Sequence, residues 1–252
     1  MSRLRSGLAL LAALVAALIA WLAYPAGGVP ILAYHQVNDE GGKYSISIRD
    51  FGEQMAYLTQ QGYTAVTMAQ LADFMAGEGP LPPKAVVITF DDGYADNFTN
   101  ALPILEKYGL KATVFIITDK VGQPGYLAWD EIRQMRSRGI EIGSHTLGHL
   151  ALNELDMPEK VRQVTVSKAI LEKELGGQIG VLAYPYGLFD ATLFDILRSA
   201  GYKGACAGVN GLNKPGDNPY SLKRINVGRD RIGLAEFRLR LLRAGIYSKL
   251  SL

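Results

Sequence analysis

The chain contains a single cysteine, Cys206. No intramolecular disulfide can form, so the fold rests on core packing or on a metal. Gly204, Ala205, Ala207 and Gly208 flank Cys206 with small residues, as a buried strand would. That marks the thiol as a small core residue rather than a reactive group. Histidine is also scarce, with only His35, His145 and His149. Neither charge is in excess: 26 Lys and Arg meet 24 Asp and Glu, leaving a formal charge of +2. Nucleic acid as the main partner usually demands a strong basic surplus, so that class is set aside. Internal repeats are absent, and the only low-complexity tract is an Ala/Leu-rich run near the N-terminus. What remains is ordinary: 252 residues, 48% hydrophobic and 20% charged, enough for one large domain with a sizeable core.

That N-terminal run, residues 7–24, holds 18 residues without a charge and follows Arg3 and Arg5. It is near the lower limit for a spanning helix and long for the core of a signal peptide. No small-x-small cleavage site follows; Pro25 stands at the exit, and Trp21 and Tyr24 are bulky. The expectation is an uncleaved signal anchor over residues 1–24 rather than a cleaved signal peptide. The basic end would stay in the cytoplasm, which places the rest in the periplasm or at the cell surface, tethered to the membrane. Residues 25–28 then form a short Pro/Gly linker, and residues 29–252 the domain.

From residue 29 onward, apolar runs alternate with segments of helical period, the pattern of a parallel α/β architecture. The expected strands are 29–35, 85–90, 112–117, 140–144, 181–185, 204–209 and 222–227. The expected helices are 50–61, 68–76, 100–108, 129–138, 158–175 and 191–200. Gly62, Gly77, Gly109, Gly139, Gly176 and Gly201 follow the helices as closing residues, and Thr67 and Asp190 stand at N-cap positions. About seven strand–helix units suit a barrel better than an open sheet. Residues 234–243 read as a basic amphipathic helix that packs on its own domain or, given the anchor, touches a membrane surface.

The informative polar residues fall at strand ends. Residues 29–34 lead to His35, 86–90 to Asp91-Asp92-Gly93, 140–144 to His145 and His149, and 181–184 to Pro185-Tyr186-Gly187. In a parallel barrel these ends share one face, where active sites are built. His145 and His149 are four apart, and on a helical turn both imidazoles would point the same way and chelate one cation. The HExxH pattern shares that spacing, but Thr146 follows His145, so no glutamate base is built in. Adjacent carboxylates at a strand end point in different directions. One can bind metal while the other reaches a water. Asp92, His145 and His149 as three ligands leave an open position, the pattern of a catalytic site.

Thr89-Phe90-Asp91-Asp92-Gly93 and His145-Thr146-Leu147-Gly148-His149 resemble the first two motifs of the polysaccharide deacetylases, the NodB-homology or carbohydrate esterase 4 family. The resemblance extends through Pro30-Ile31-Leu32-Ala33-Tyr34-His35, Leu102-Pro103-Ile104-Leu105, Ala112-Thr113-Val114-Phe115 and Trp129-Asp130-Glu131-Ile132. It implies a distorted (β/α)7 barrel that removes N-acetyl groups from a polysaccharide. It implies Asp91 as the catalytic base and Asp92, His145 and His149 as ligands of a divalent ion, zinc by preference, with cobalt, nickel or another ion as substitutes. The ion would polarise the acetamide carbonyl and a water, and the backbone N–H of Tyr186, beside Pro185, would hold the oxyanion.

Two departures stand out. The family's third motif commonly reads Arg-x-Pro-Tyr, but here it is Ala183-Tyr184-Pro185-Tyr186, without the arginine that contacts the base. Arg224 is the candidate replacement. The family's Leu-x-His acid is also missing, because residues 222–227 contain no histidine. His35, the spare histidine, is expected to serve as, or near, the acid that protonates the leaving amine. Trp129, Tyr126, Tyr186 and Phe189 are candidates to line a sugar groove, with core packing the competing role for Trp129 and Phe189. The Tyr34-His35 opening and the 183–187 motif resemble exported deacetylases of poly-β-1,6-N-acetylglucosamine, a biofilm polymer. The competing readings are a glycan O-acetyl esterase, a peptidoglycan or chitin deacetylase, and an inactive carbohydrate-binding pseudoenzyme; the retained Asp91 speaks against the last.

Overall fold

The computed structural model describes Val15, residues 27–228 and residues 232–250. Apart from Val15, the expected anchor lies outside the described residues. Among these, no helix is long and apolar enough to cross a membrane.

From residue 27 onward the described elements begin with β1 (Ile31–Tyr34) and a small parallel pair, β2 (Gln36–Val37) and β3 (Ser45–Ile46), before α1 (Ile48–Gln60). Then come β4 (Thr64–Val66), α2 (Met68–Met75), β5 (Ala85–Phe90), a π-helical turn over Asn97–Ala101 and α3 (Leu102–Tyr108). β6 (Thr113–Ile116), α4 (Trp129–Ser137), β7 (Glu141–Ser144) and α5 (Met157–Leu175) follow. β8 (Val181–Ala183), α6 (Thr192–Ser199), β9 (Gly204–Cys206), β10 (Ile225–Asn226) and α7 (Leu234–Leu250) complete the described order. Among the described residues the main sheet has eight parallel strands in the order β10-β1-β5-β6-β7-β8-β9, with β4 paired to the first half of β5.

All seven expected strands are present. β4 was not expected, because three residues give no readable period. The sheet curls: the segment 222–227 bonds on one side to the end of β9, through Ala207 N–H to Leu222 O (2.8 Å), and on the other to β1, through Val227 N–H to Ala33 O (2.9 Å). Alternation along the strands sorts the core into two layers. Ile31, Val87, Phe115, Val181, Ala183 and Cys206 fill the inside of the curl, plugged below by Met68 and Leu71 of α2. Leu32, Val86, Ile88, Phe90, Val114 and Leu182 face the surrounding helices. Gly143 lies in the inner layer because a Cβ there would sit 2.5 Å from the Phe115 ring. Cys206 is buried, and burial pushes its thiol up to about 12.

The expected helix ends are largely present. All six closing glycines have positive φ, from 62° to 87°. Thr67 caps α2 in a capping box with Gln70. Asp190 differs: α6 starts at Thr192, and Asp190 accepts the Thr192 N–H while pairing with Lys160 Nζ at 2.6 Å. α7 runs seven residues beyond the expected 243.

Candidate active site and metal centre

The ends of the parallel strands open on one face, and there lies a cavity of about 600 Å³. Its wall includes His35 after β1, Asp91 and Asp92 after β5, His145 and His149 after β7, Tyr186 after β8, and Arg224 and Asn226 at β10. All three histidines therefore meet the two aspartates, as their positions at strand ends require.

Backbone geometry separates the two carboxylates. The Asp91 N–H continues the β1–β5 ladder to Tyr34 O (2.9 Å), whereas Asp92 turns into the left-handed region at φ 72°. Asp91 faces Arg224, whose Nη1 donates to Oδ1 at 2.7 Å; both side chains are 4% exposed. The other Asp91 oxygen lies 3.9 Å from His35 Nε2. Burial alone would raise the Asp91 pKa, but Arg224 first, then His145 and His35, hold it well below the usual carboxylate range.

Asp92 faces the other way. Its Oδ1 is 3.4 Å from Nε2 of both His145 and His149. The expected helical turn at residues 145–149 is not there. It is a loop in which Thr146 and His149 adopt positive φ, 67° and 60°. Gln163 of α5, itself buried, shapes this loop by accepting the Leu147 N–H on its carbonyl and the Gly148 N–H on Oε1. The two imidazoles converge through that strained backbone and not through helical spacing. Among the described residues, five non-glycines have positive φ, and Asp92, Thr146, His149 and Tyr186 are four of them. Strain gathered at one face is a mark of a functional site.

These residues fit a divalent ion. The donor atoms of Asp92, His145 and His149 lie within 4.8 Å of one another. Tetrahedral zinc with bonds near 2.1 Å separates its ligands by about 3.4 Å, the spacing Asp92 keeps from each imidazole. His145 Nδ1 is 2.7 Å from Ala183 O; as the donor there, it leaves Nε2 free for metal. Burial lowers the His149 pKa to about 4, so that ring is neutral and ready to ligate. For His145 the burial effect is outweighed by its hydrogen bond to Asp92, and its pKa is raised.

Around this centre, Tyr186 is exposed at the rim and packs edge-on against His149, with centroids 4.7 Å apart. Pro185 is buried beneath it. Trp129 starts α4 and packs against the hydrophobic core, and it is not among the residues lining the cavity. Phe189 stacks on Tyr184 and also belongs to the core. Tyr126 stacks on Tyr94, a cavity residue whose pKa is raised by burial first and then by the nearby Asp92. The sequence reading passed over Tyr94 and also Tyr44, an exposed ring stacked on His35 at 4.9 Å. Tyr94 carried a usable signal, since it directly follows Asp91-Asp92-Gly93; Tyr44 lies in a loop with none. The Tyr186 turn depends on Gly187, which is at φ 70° and so close to Gly208 that a Cβ would sit 2.3 Å from its Cα. Gly187→Ala should therefore cost about 1–3 kcal/mol from backbone strain alone, read as a lower urea midpoint, and should also lower activity by displacing Tyr186.

Comparison with known proteins agrees with this geometry. Residues 78–205 match the family model described as polysaccharide deacetylase. YxkH of Bacillus subtilis (strain 168), assigned by name to the polysaccharide deacetylases, is 30% identical over 207 residues, covering 82% of this chain and 74% of that protein. A poly-β-1,6-N-acetyl-D-glucosamine N-deacetylase of Staphylococcus aureus (strain N315) is 29% identical over 201 residues, 74% of this chain and 69% of its own. Among solved structures, IcaB from Ammonifex degensii superposes with a TM-score of 0.74 at 29% identity, covering 85% of this chain and 97% of that one. The Streptococcus pyogenes deacetylase PplD, solved with acetate, shares the fold with a TM-score of 0.79 at 24% identity, over 86% and 99% of the two chains.

Proposed function

The chain belongs to the polysaccharide deacetylase family, hydrolases of N-acetyl amide bonds, and from that premise we propose that it deacetylates a poly-N-acetylglucosamine-like polymer outside the cytoplasm, held at the membrane by residues 7–24. The observation that carries the chemistry is one cavity containing three metal donors on one side of the Asp91-Asp92 pair and a buried, arginine-held carboxylate on the other. The identity and coverage of the Staphylococcus aureus relative support the polymer. The uncharged N-terminal run behind Arg3 and Arg5 supports the location.

In this reading Asp92, His145 and His149 hold a divalent ion, zinc by preference, which supplies Lewis-acid polarisation of the acetamide carbonyl when bound. Asp91, ionised and oriented by Arg224, takes a proton from the attacking water. The proton taken by Asp91 passes to His35, whose Nε2 is 3.9 Å from the Asp91 carboxylate, and from there to the leaving nitrogen as the C–N bond breaks, so acetate and a free amine are released. The Tyr186 N–H, turned by its positive φ, serves as an oxyanion donor, and buried Pro185 fixes that turn. Trp129 packs against the hydrophobic core and takes no part in the chemistry.

The test is acetate release by the zinc-loaded chain from N-acetylglucosamine oligomers with β-1,6 or β-1,4 linkages, with Asp91→Asn as the blank. Faster release from β-1,6 oligomers is expected. Faster release from β-1,4 oligomers would move the substrate to chitin or peptidoglycan, and activity confined to O-acetyl esters would overturn the amidase reading. His35→Ala should lower kcat by roughly 10²-fold with little change in KM; unchanged turnover would remove His35 from the mechanism.

A further inference from the structure

We propose that the outward face of α7 docks on an anionic lipid bilayer and holds the cavity side-on to that surface. The proposal deepens the reading in which residues 7–24 tether the chain to a membrane.

α7 is apolar on two opposite sides. Phe237 and Ala244 are buried, and Leu234 and Leu241 pack against the core. That accounts for one side. Yet Leu239, Leu242 and Leu250 are 52%, 48% and 51% exposed. At 100° per residue these three positions and Arg243 fall within an arc of about 100°, opposite Phe237 and Ala244. Arg238, also exposed, borders the arc. A helix that packs only on its own domain needs one apolar stripe, so the second one calls for a cover. Arginines interleaved with leucines suit lipid headgroups over acyl chains better than the depleted-charge core of a protein interface.

The position of α7 identifies the occupant. Val29 exchanges backbone hydrogen bonds with Asn213 (2.8 and 3.0 Å), and Lys214 Nζ donates to Ser248 O at 2.8 Å. The chain thus enters the domain beside the C-terminal end of α7, five residues after the uncharged run ends at Tyr24. The middle of α7 reaches the cavity: Arg240 lines it and donates to Asn226 O at 2.8 Å. From Leu239 to Leu250 the outward stripe runs for about 16 Å, starting beside the cavity-lining turn at Arg240 and ending near the tether point. A bilayer along this stripe keeps the cavity at the surface where a polymer would emerge.

The test uses the full chain carrying Leu242→Cys labelled with an environment-sensitive fluorophore; Cys206 is buried and does not compete for label. Ala169→Cys, exposed on α5, is the reference position. The chain is mixed with phosphatidylcholine vesicles with or without phosphatidylglycerol, and some vesicles carry nitroxide lipids. The label at 242 should brighten and be quenched by nitroxide lipid in the anionic vesicles, while the label at 169 stays unchanged. Each of Arg238→Glu and Arg243→Glu should reduce the docked-to-undocked ratio about fivefold or more, with acetate release from a short soluble oligomer unaffected. If the chain floats with both kinds of vesicle but the label at 242 stays in water, docking by α7 is wrong and the anchor stands. If the chain floats only with anionic vesicles and the two charge reversals release it, the anchor is wrong and docking by α7 stands. A label at 242 shielded without lipid, and more so at higher protein concentration, would make the face a contact between copies and overturn the lipid proposal.

Discussion

Asp91→Asn should slow acetate release by roughly 10²–10⁴-fold, the usual contribution of a positioned base, whereas Arg224→Met should damage both rate and stability. The difference follows from the burial of the pair. Asp91 and Arg224 are each only 4% exposed and 2.7 Å apart. Removing the arginine leaves a carboxylate in the wall of the curl with its main partner gone, a change of about 3–5 kcal/mol for a buried ion pair. The chain can reduce that cost by letting Asp91 bind a proton, but a protonated Asp91 is no longer a base. Arg224→Met should therefore shift the acid limb of the pH–rate profile to higher pH. The double variant Asp91→Asn, Arg224→Met has no buried unpaired charge and should recover most of the stability while staying inactive. Urea midpoints at unchanged slope measure the stability part. Full activity and an unshifted pH profile in Arg224→Met would dismiss the arginine from the site. The pH dependence of stability has a definite sign. The folded pKa of Asp91 is depressed, so its stabilising contribution is fully present above the unfolded value near ~3.9 and is lost as pH falls through the folded value.

The sequence revealed most about residues that act through neighbours in the chain, and least about those that act across it. Asp91, Asp92, His145 and His149 were legible because each follows a buried strand, and parallel strands bring their ends together. The reason His145 and His149 converge was misread. Spacing of four suggests a helical turn, but the loop is folded by Gln163 from a different helix, which no local pattern reports. Arg224 could only be guessed, since it pairs with Asp91 across 133 positions and lies beyond residue 205, where the family match ends. Trp129 looked like a sugar platform because an aromatic residue at a helix start carries no mark of which way it packs; it joins the core. In α7 the interleaved leucines and arginines read as a single amphipathic stripe. Only the packing of Phe237 and Ala244 shows that a second apolar stripe is left outside.

Loss of the divalent ion should abolish activity and also lower stability, which separates a metal centre from a set of histidines near an acid by chance. Asp92 is buried enough for desolvation to oppose its charge, and its compensation comes first from the His145 hydrogen bond. An ion at the shared 3.4 Å spacing replaces that bond with stronger ones to all three donors. Binding to the folded state alone, at a free concentration about a hundredfold above Kd, stabilises by roughly 2.7 kcal/mol. For a chain of this size that corresponds to a Tm rise of about 5–10 °C. Zinc added to chelator-treated protein should produce this shift and restore acetate release. In Asp92→Ala both effects should be lost together, because two imidazoles alone do not complete the triad. His149→Ala should weaken the ion similarly and also free the Tyr186 ring, which rests on it. The proton carried by His145 adds a further signature. Its raised pKa stabilises the metal-free fold below the unfolded value near ~6.5, and that benefit disappears as pH rises through the folded value. The ion must displace this proton, so the zinc-induced shift in Tm should grow from pH 6 toward pH 8. A shift that is independent of pH, or one that survives Asp92→Ala, would place the ion somewhere other than between these three side chains.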